Sequence, residues 1–464
     1  MQYHADYVCP VSHFNPQIIN IVDLMKDKGY LLRIVPMSRS TLQKYKGNIP
    51  DKILMGEHIS HVPTASLEYL LNKYSISGPY SFVFPEMVYD RNYPGQIYSR
   101  YISSNYGQPE FEPYREQLHR TLDYFDNLYS DGFDAVHISN QGARIVRQVI
   151  QVVADYHDVQ SIRYSFNPLP RRRSIRSSTE MRFPKLERAL DESLDEDEQR
   201  RAKKYIRSIR TNKPRFKGSP NDDKPSLRSR FGGKIQTIKT FEDNLPKAIA
   251  WEFIRPTLKS ISAKLQSRWH VEQASAQSTI SSENYIFYPI QYPIESRVTL
   301  RSPGFYDQKH LIKYLARNLP STSDQLVVKD HPRHVGQLSL RSAKEISENA
   351  CFVDPKMSAH DIVKNADAIV TLNNTVGHEA LVWKKPVVTL GDALYSDIGL
   401  TYDVRNTNNL DSVITEAVKK GGPTQTELLR YINGLYKISD PIIWGDSSDE
   451  NIENIVDSIL NRTA

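Results

Sequence analysis

The sequence predicts an α/β protein with two doubly wound domains, each a mostly parallel sheet covered by helices on both faces. Two observations indicate this class. Short apolar segments alternate with amphipathic segments in both halves of the chain, as they do in β-α-β units. The chain also has 464 residues, more than a single hydrophobic core usually organises.

The N-terminal domain is expected at about residues 1–170 and opens with a β-α-β unit. A strand at 7–11 precedes Asn15, a suitable N-cap, and Pro16, which favours the first helical turn. Gly29 is expected to end this helix. Further strands are predicted at 31–35, 81–85, 135–139 and 161–165, a long helix at about 113–129, and another helix that ends near 157.

The charge pattern changes after residue 170. Residues 171–176 are basic, 191–198 acidic and 200–217 basic again, so we interpret 171–283 as a charged helical insertion or linker, helical again at 240–278. The simplest interpretation is a solvated surface, and the alternative is a basic helix that rests on an anionic membrane. Nucleic-acid binding is not favoured, because no aromatic residues interleave with the basic ones.

The second α/β domain, at 284–440, is the most regular part of the sequence, and a C-terminal helix is expected at 441–464. Strands are predicted at 285–290, 326–329, 351–353, 368–372 and 386–390, with helices at about 307–318 and 358–365.

The composition limits the partners and the compartment. Cys9 and Cys351 are the only cysteines, which excludes a disulfide framework and a zinc motif, so we expect neither a metal nor another cofactor. A formal net charge of +6 favours anionic partners, such as sugar nucleotides or a membrane surface. Without a run of 18 apolar residues or a secretory signal pattern, the chain is expected to be cytoplasmic, with only peripheral contact at the inner face of the membrane.

Polar residues follow the predicted strands of the second domain. In an open parallel sheet, ligands bind beyond the carboxyl ends of the strands. The residues expected there are Gln291, Lys329, His331, the run 373–375 and Gly391.

The run 373–379 is the most informative, because a strand ends there and a helix begins. Free amides at Asn374, Thr375, Val376 and Gly377, together with the helix dipole, would bind a phosphate. Glu379 lies one turn further along and would accept hydrogen bonds from both hydroxyls of a ribose. The alternative is a simple N-cap, with Glu379 complementing the helix dipole.

The run 329–332 also follows a buried strand. Pro332 holds His331 extended, and from a strand end its imidazole would donate to a phosphate or to a leaving-group oxygen. The alternative is a structural histidine. Lys329 alternates away from His331, so its role is less defined.

Five motifs in the second domain, taken in order, resemble the bacterial capsule polysaccharide biosynthesis family, which includes the capsule β-Kdo transferases (Kdo is a keto-deoxyoctulosonic acid). They lie at 288–291, 329–332, 371–381, 385–388 and 391–401. The resemblance covers about 284–405, and it reaches the N-terminal domain only loosely, through 140–142 after a strand. His378 and Asn374 depart from the family pattern, which favours an apolar or aromatic residue at the first position and a serine at the second.

The resemblance implies a glycosyltransferase-B-like architecture, in which two Rossmann-like domains face each other across a cleft. The C-terminal domain would hold the nucleotide sugar and the N-terminal domain the acceptor. In the Kdo-transferring relatives the donor is CMP-Kdo, no metal is needed, and the acceptor is a lipid-linked glycan. The implied donor contacts are Gln291, His331, Asn374, Thr375 and Glu379.

Transfer also requires a group that activates the acceptor hydroxyl. Glu86, expected after the strand at 81–85, is the preferred catalytic candidate, and it would be either a base or, in a retaining reaction, a nucleophile. A surface carboxylate in a turn is the alternative interpretation. Other residues at predicted strand ends and loops on the acceptor side are His13, Asp90, His137 and Asn140.

Three functions remain compatible with the sequence. The first is a glycosyltransferase that acts on a surface polysaccharide or a lipid-linked acceptor. The second is another enzyme of the same architecture, either a CDP-glycerol-type polymer transferase or a nucleotide-sugar epimerase. The third is a non-catalytic factor of polysaccharide assembly.

Overall fold

The computed structural model divides the chain into two compact units. The first contains Met1–Asn92, Gln108–Tyr205 and Leu429–Ala464, and the second contains Tyr93–Gly107 and Ile206–Leu428. The structure describes residues 5–11, 15–51, 53–91, 111–130, 135–140, 144–176, 182–211, 258, 261, 265, 268–269, 272, 284–292, 295–305, 308–321, 323, 325–331, 345–346, 350–354 and 357–463.

The first unit alternates strands and helices before it ends in helices. In chain order its elements are β1 (Asp6–Val11), α1 (Pro16–Asp27), β2 (Leu31–Pro36), α2 (Arg39–Tyr45), α3 (Glu57–Ser60), α4 (Leu67–Lys73), α5 (Tyr80–Arg91), α6 (Phe111–Ser130), β3 (Ala135–Asn140), α7 (Ile145–Tyr156), β4 (Ser161–Phe166), β5 (Arg173–Arg176), α8 (Pro184–Ala189) and α9 (Glu196–Thr211), whose last residues belong to the second unit.

The first sheet has a parallel centre. Strands β2, β1, β3 and β4 lie side by side and parallel, and β5 adds an antiparallel edge to β4. On the other side, Leu54 forms a parallel bridge to Ile34 of β2. Since β1 and β3 are neighbours while their connections run to opposite sides, the chain reverses its winding between them, and this is where an open sheet offers a crevice.

The C-terminal end of the chain completes this first unit. Strand β12 (Ser439–Asp440) pairs with β5, and α16 (Asp449–Thr463) packs its apolar side into the same core cluster as α1. The buried Gln17 side chain fixes the connection, because its Nε2 donates to the Asp446 carbonyl at 2.7 Å and its Oε1 accepts from the Gly445 amide at 3.0 Å.

The second unit contains the other sheet. In chain order its elements are β6 (Tyr285–Pro289), α10 (Ser296–Thr299), α11 (Gln308–Arg317), β7 (Gln325–Lys329), β8 (Ala350–Val353), α12 (Ala359–Asn365), β9 (Ala368–Thr371), α13 (Thr375–Val382), β10 (Val387–Thr389), β11 (Tyr402–Asp403) and α14 (Leu410–Lys420), followed by α15 (Gln425–Lys437), which runs on into the first unit.

The strand order of the second sheet is β11-β10-β9-β6-β7-β8, and every pair is parallel. Counted from β6 this is the 6-5-4-1-2-3 order of a doubly wound Rossmann sheet, with its switch point between β6 and β9. All residues of β6 and β9 are buried, as expected for central parallel strands with helices on both faces.

The predicted class, α/β with two Rossmann-like parallel-sheet domains, is confirmed. The predicted β-α-β opening is also confirmed: Asn15 caps α1 by accepting from the Gln17 amide at 3.1 Å, and Gly29 follows the helix with a φ of +86°. All five strands predicted for the second domain are present, within one or two residues at their ends.

The strand predicted at 81–85 is wrong, since these residues belong to α5. Pro79 precedes this helix, and its carbonyl accepts from the amides of Phe82 and Val83 at 3.1 and 3.0 Å. A proline in the first turn is pre-organised for a helix. The rings of Tyr80 and Phe84, four positions apart, stack at 5.7 Å on one side of α5. The apolar run therefore has helical rather than alternating spacing.

The segment after residue 170 also differs from the prediction. Residues 173–176 form β5 instead of opening a helical insertion, and the first unit extends to Tyr205 and takes up the C-terminal residues from Leu429. The units thus depart from the boundaries 1–170 and 284–440. Of the helix predicted at 240–278, only six separate residues are described. Among the described residues, no helix is both long and apolar enough to cross a bilayer.

Candidate functional site

The carboxyl ends of three neighbouring strands carry the polar residues singled out in the second unit. Strand β9 leads to 373–375, the adjacent β6 leads to Gln291, and the next strand, β7, leads to His331. The register pairs Pro289 with Lys329, so the segments that follow β6 and β7 leave the sheet at the same level. These residues therefore surround the switch point.

Gln291 is held there by its backbone. Its amide donates to Gln308 Oε1 at 2.8 Å, and its carbonyl accepts from Gln308 Nε2 at 2.9 Å. Its side-chain Nε2 donates to Glu295 at 3.3 Å, whereas Oε1 is buried and has no hydrogen-bond partner among the described residues. A buried carbonyl without a donor costs about 1–3 kcal/mol, and such a group is usually explained by a ligand or a water.

Asn374 links the end of β6 to the start of α13. Its Oδ1 caps the helix by accepting from the Val376 amide at 2.9 Å, and its Nδ2 donates to the Pro289 carbonyl at 3.4 Å. The Gly377 amide donates to the Asn374 carbonyl at 3.3 Å. Both amides are thereby occupied within the turn, so Thr375 supplies the remaining first-turn amide that Asn374 does not engage.

Two glycines make room for side chains that cross this edge of the sheet. A Cβ on Gly377 would overlap the Tyr395 phenol, whose hydroxyl donates to the Asn374 carbonyl at 2.6 Å. A Cβ on Gly391 would overlap Ser302 Oγ, which itself accepts from Asn373 Nδ2 at 2.9 Å. Sequence reasoning missed Ser302, because it lies in a short irregular segment without a motif.

His331 is half-buried and stacks on Tyr292, with ring centroids 6.0 Å apart and an interplanar angle of 19°. Lys329 is buried, and its Nζ donates to the Asp330 carbonyl at 3.2 Å. Burial lowers the pKa of this ammonium, while the charges of Asp330 and Asp354 oppose the shift. The stack shows that the segments after β6 and β7 meet at His331.

Glu379 and His378 lie on different sides of α13. Thr375, Glu379 and Trp383 follow one another at a spacing of four and are all partly exposed. Glu379 Oε2 lies 3.8 Å from Nδ1 of His360 in α12, and the Trp383 indole donates to Nε2 of the same ring at 3.1 Å. His378 points into the core, where burial lowers its pKa to about 3.

The candidate residues of the first unit need correction. Glu86 was expected at a strand end with a carboxylate available to the acceptor. It lies in α5 instead, fully buried, where it accepts from the Ile145 amide at 2.7 Å and pairs with Arg144. Ile145 begins α7, so this carboxylate completes the start of a helix that has no side-chain cap of its own. We therefore do not retain Glu86 as a catalytic candidate.

The other acceptor-side candidates are only partly visible. Asn140 is the last residue of β3, the strand that pairs with β1 at the switch point of the first sheet. His13 lies outside the described residues, and the side chains of Asp90 and His137 do too. Within the described part of the chain, no group of three or more His, Cys, Asp or Glu residues is arranged to hold a metal ion.

The fold defines the second unit as a Rossmann-like domain, with a capped helix at its switch point and, beside it, a glutamine whose Oε1 has no hydrogen-bond partner among the described residues. Over residues 243–420 the chain matches the family model described as "Capsule polysaccharide biosynthesis protein". The family resemblance predicted from the motifs is thus confirmed over the segment that forms this site.

Curated relatives match the chain over short segments. The chain is 31% identical to protein FixF of Sinorhizobium fredii over 113 residues, which are 24% of this chain and 27% of that protein. It is 36% identical to the capsule polysaccharide export protein KpsS of Escherichia coli over 93 residues, which are 19% of this chain and 24% of that protein. The matched segments therefore span about a quarter of the length of each relative.

Solved structures with a similar course of the chain include KpsC of Thermosulfurimonas dismutans, a beta Kdo 2,7 transferase. It is 16% identical, with 73% of this chain and 89% of that chain covered and a TM-score of 0.40. The UDP-GlcNAc 2-epimerase of Methanocaldococcus jannaschii is 12% identical, with 99% of both chains covered and a TM-score of 0.30. A fold does not by itself define a reaction, so the substrate and the reaction have to follow from the site.

Proposed function

We propose that this protein is a glycosyltransferase of capsule or surface polysaccharide synthesis that binds a nucleotide sugar at the switch point of its second sheet. One observation carries the proposal: the buried Gln291 Oε1 has no hydrogen-bond partner among the described residues, at the carboxyl end of the strand beside the start of α13. Ligands of doubly wound sheets bind at this point, where the first helix amides attract phosphate.

The backbone amides and the side chains at this edge have different roles in the proposal. The Thr375 amide binds the phosphate of the nucleotide, with a dipole contribution of about 0.3–1 kcal/mol, or ~2 kcal/mol when partly buried. Gln291 Oε1 accepts a hydrogen bond from the bound donor, and Glu379 accepts from the ribose hydroxyls. The Val376 and Gly377 amides, already engaged by Asn374, support the turn rather than the ligand.

His331 would act on the leaving group. In the reaction, the bond between the anomeric carbon and a phosphate oxygen breaks while the acceptor oxygen bonds to that carbon and loses its proton to a base. Negative charge develops on the departing phosphate. A hydrogen-bond donor fixed beside this phosphate therefore stabilises the transition state more than the bound substrate. The ring stack on Tyr292 restricts the orientation of His331 for this purpose.

The resemblance to the capsule β-Kdo transferases favours CMP-Kdo as the donor and a glycan or glycolipid as the acceptor. A lipid-linked acceptor would place the protein in the cytoplasm, with peripheral contact at the inner face of the membrane. The mild positive charge of +6 suits such a surface. On the acceptor side, His13 and Asn140 remain the candidates, since they follow β1 and end β3.

Donor binding can be tested by thermal unfolding with CMP, CDP, UDP and GDP. A nucleotide at about 100 times its Kd adds roughly 2.7 kcal/mol to the free energy of unfolding. We expect CMP to stabilise the protein most. Stabilisation by UDP alone, with conversion of a UDP-sugar to its epimer, would contradict the transferase and indicate an epimerase. CDP alone would indicate a polymer transferase.

Turnover can be tested with CMP-Kdo and a membrane glycolipid acceptor. His331→Ala is expected to lower kcat by about 10²–10³-fold, the usual effect of removing a donor to a developing charge. His310→Ala, on the exposed side of α11, is the matched control and should leave kcat unchanged. Nucleotide binding without turnover of any donor would indicate a non-catalytic assembly factor instead.

A further inference from the structure

His360 lies between Glu379 of α13 and Trp383, the residue that follows this helix. Trp383 Nε1 is 3.1 Å from its Nε2, and Glu379 Oε2 is 3.8 Å from its Nδ1. The rings of His360 and Trp383 meet edge to face, with centroids 5.3 Å apart and an interplanar angle of 74°. All three residues belong to the second unit, so this arrangement does not depend on the other unit.

The contact with Trp383 determines where the proton of His360 lies. An indole nitrogen is a donor only, so Nε2 of His360 must accept this hydrogen bond and carries no proton. In the neutral ring the proton is then on Nδ1, the nitrogen that faces Glu379. Trp383 thus makes His360 a donor in the direction of the carboxylate.

That donor is buried and unsatisfied. Nδ1 of His360 has no hydrogen-bond partner among the described residues, and its side chain is only 8% exposed. The Glu379 carboxylate lies 3.8 Å from this nitrogen, which is beyond hydrogen-bond distance. A displacement of less than 1 Å by the Glu379 carboxylate would close the bond and satisfy both groups.

Trp383 is itself well fixed. It follows the last residue of α13, and the Arg210 guanidinium donates to the Val382 carbonyl at 3.0 and 2.6 Å while it lies 5.5 Å from the centroid of the Trp383 ring. The ammonium of Lys364, from the same helix as His360, lies 5.8 Å from that centroid. A cation at a helix C-terminus and cations over an indole are both favourable.

We propose that His360 is a positioning residue for Glu379 and makes the site select ribonucleotides over 2′-deoxyribonucleotides. When a nucleotide binds, Nδ1–H of His360 bonds one side of the Glu379 carboxylate and orients it, so that the other side accepts from the 2′ and 3′ hydroxyls of the ribose. This inference rests on the proposed function, because it takes the switch point to be a nucleotide site.

The test compares the Kd values of CMP and 2′-deoxy-CMP, measured by calorimetry on the full chain. In the unaltered protein the deoxynucleotide should bind at least 10-fold more weakly, because a hydroxyl–carboxylate bond is lost. Glu379→Gln should reduce this ratio to about 3 or less. His360→Phe should reduce it similarly, by weakening CMP while leaving the Kd of 2′-deoxy-CMP unchanged.

Two further variants separate positioning from simple packing. His360→Asn keeps a donor near the position of Nδ1 and should restore most of the ratio. His310→Phe replaces an exposed histidine of the same unit and should leave the ratio unchanged. If His360→Phe does not fold, Trp383→Phe provides the test. Without the indole donor, Nε2 of His360 is free to carry the proton, so the ratio of the two Kd values should fall, but less than in His360→Phe.

The outcomes are distinguishable. An equal loss of affinity for both nucleotides in His360→Phe would show a structural role only and overturn the inference. A ratio abolished by Glu379→Gln but unaffected by His360→Phe would also overturn it, while the nucleotide site stands. If the unaltered protein binds CMP and 2′-deoxy-CMP equally, the assignment of Glu379 fails, and without any nucleotide binding the proposed function fails as well.

Discussion

The phenol ring of Tyr395 occupies the space that any side chain on Gly377 would need. From there the Tyr395 hydroxyl donates to the Asn374 carbonyl at 2.6 Å, at the point where β9 gives way to α13. Asn374 in turn caps the helix and reaches the end of β6. One tyrosine therefore fixes the turn on which the nucleotide site is proposed to stand, and glycine at 377 is what allows it.

Gly377→Ala is expected to destabilise the protein and to weaken nucleotide binding together. The added Cβ must displace the Tyr395 ring, and overpacking of this kind costs about 1–3 kcal/mol. Urea unfolding and calorimetry with CMP would measure the two effects. Gly304→Ala is the control, because a Cβ there meets nothing within 4 Å. Full stability and affinity in Gly377→Ala would contradict the described turn.

Gln291→Met should have opposite effects on stability and on binding. Methionine keeps the length of the side chain but removes the buried carbonyl, which has no partner in the described part of the chain, so the free energy of unfolding should be unchanged or rise by about 1 kcal/mol. The Kd of the nucleotide sugar should increase by roughly 10-fold, since the hydrogen-bond acceptor Oε1 of Gln291 is lost.

Unchanged or higher stability together with weaker nucleotide binding would show that the Gln291 side chain is kept for a ligand. A loss of stability with unaltered affinity would assign Gln291 to the fold alone. Gln308→Met serves as the comparison, because Gln308 bonds both the amide and the carbonyl of Gln291. That variant should lower stability first, and lower affinity only through the displaced Gln291 backbone.

Stability should fall with acidification because of His378. Burial lowers its pKa from 6.5 to about 3, so between these values the unfolded chain binds a proton that the folded chain does not. The contribution of the neutral ring is complete above about pH 6.5 and is lost progressively as the pH falls towards 3. At pH 5 the loss relative to pH 7.5 is about 2 kcal/mol.

The contribution of His378 can be isolated by His378→Leu, whose unfolding free energy should depend less on pH by this amount. His58 in the first unit has a pKa lowered to about 4 by burial and nearby positive charge, and it affects both proteins equally. His310→Leu, an exposed substitution, should retain the full pH dependence. An identical pH dependence in His378→Leu and the unaltered protein would show that His378 is not buried in the neutral form.

Glu86→Gln should lower stability without lowering the turnover of the folded protein in the proposed reaction. The change removes the charge that faces Arg144, and the loss of this ion pair at the start of α7 should cost about 1–3 kcal/mol. Glu112→Gln, at an exposed pair with Arg115, should change stability by less than about 0.5 kcal/mol. A fall in kcat with stability retained would return Glu86 to the list of catalytic candidates.

The second unit is the part that the sequence predicts best. Its strands are continuous apolar runs, each followed by polar residues, and this pattern identifies buried parallel strands and their carboxyl ends. Gln291, His331 and Asn374 could therefore be placed at one edge of the sheet from topology alone. The N-cap at Asn374 was one of two interpretations in the sequence, and the structure shows that the capping bond is made.

What the sequence did not predict depends on contacts between distant residues. The return of α16 to α1 and the buried bonds of Gln17 join residues more than 400 positions apart, and no local pattern indicates them. His360 was unremarkable because its role follows from Trp383 and Glu379 on another helix. The error at α5 has a local cause, since Pro79 at the start of the segment favoured a helix.

Hydrogen–deuterium exchange of the full chain with and without CMP tests whether the nucleotide phosphate binds at Thr375. If the nucleotide phosphate binds at the start of α13, the peptide that contains the Thr375 amide should exchange at least 10-fold more slowly when CMP is bound, and peptides from β1 to β4 should not change. Binding of the phosphate at the start of α13 would be contradicted if saturating CMP left the exchange of the Thr375 peptide unaffected, or if it protected only the first unit.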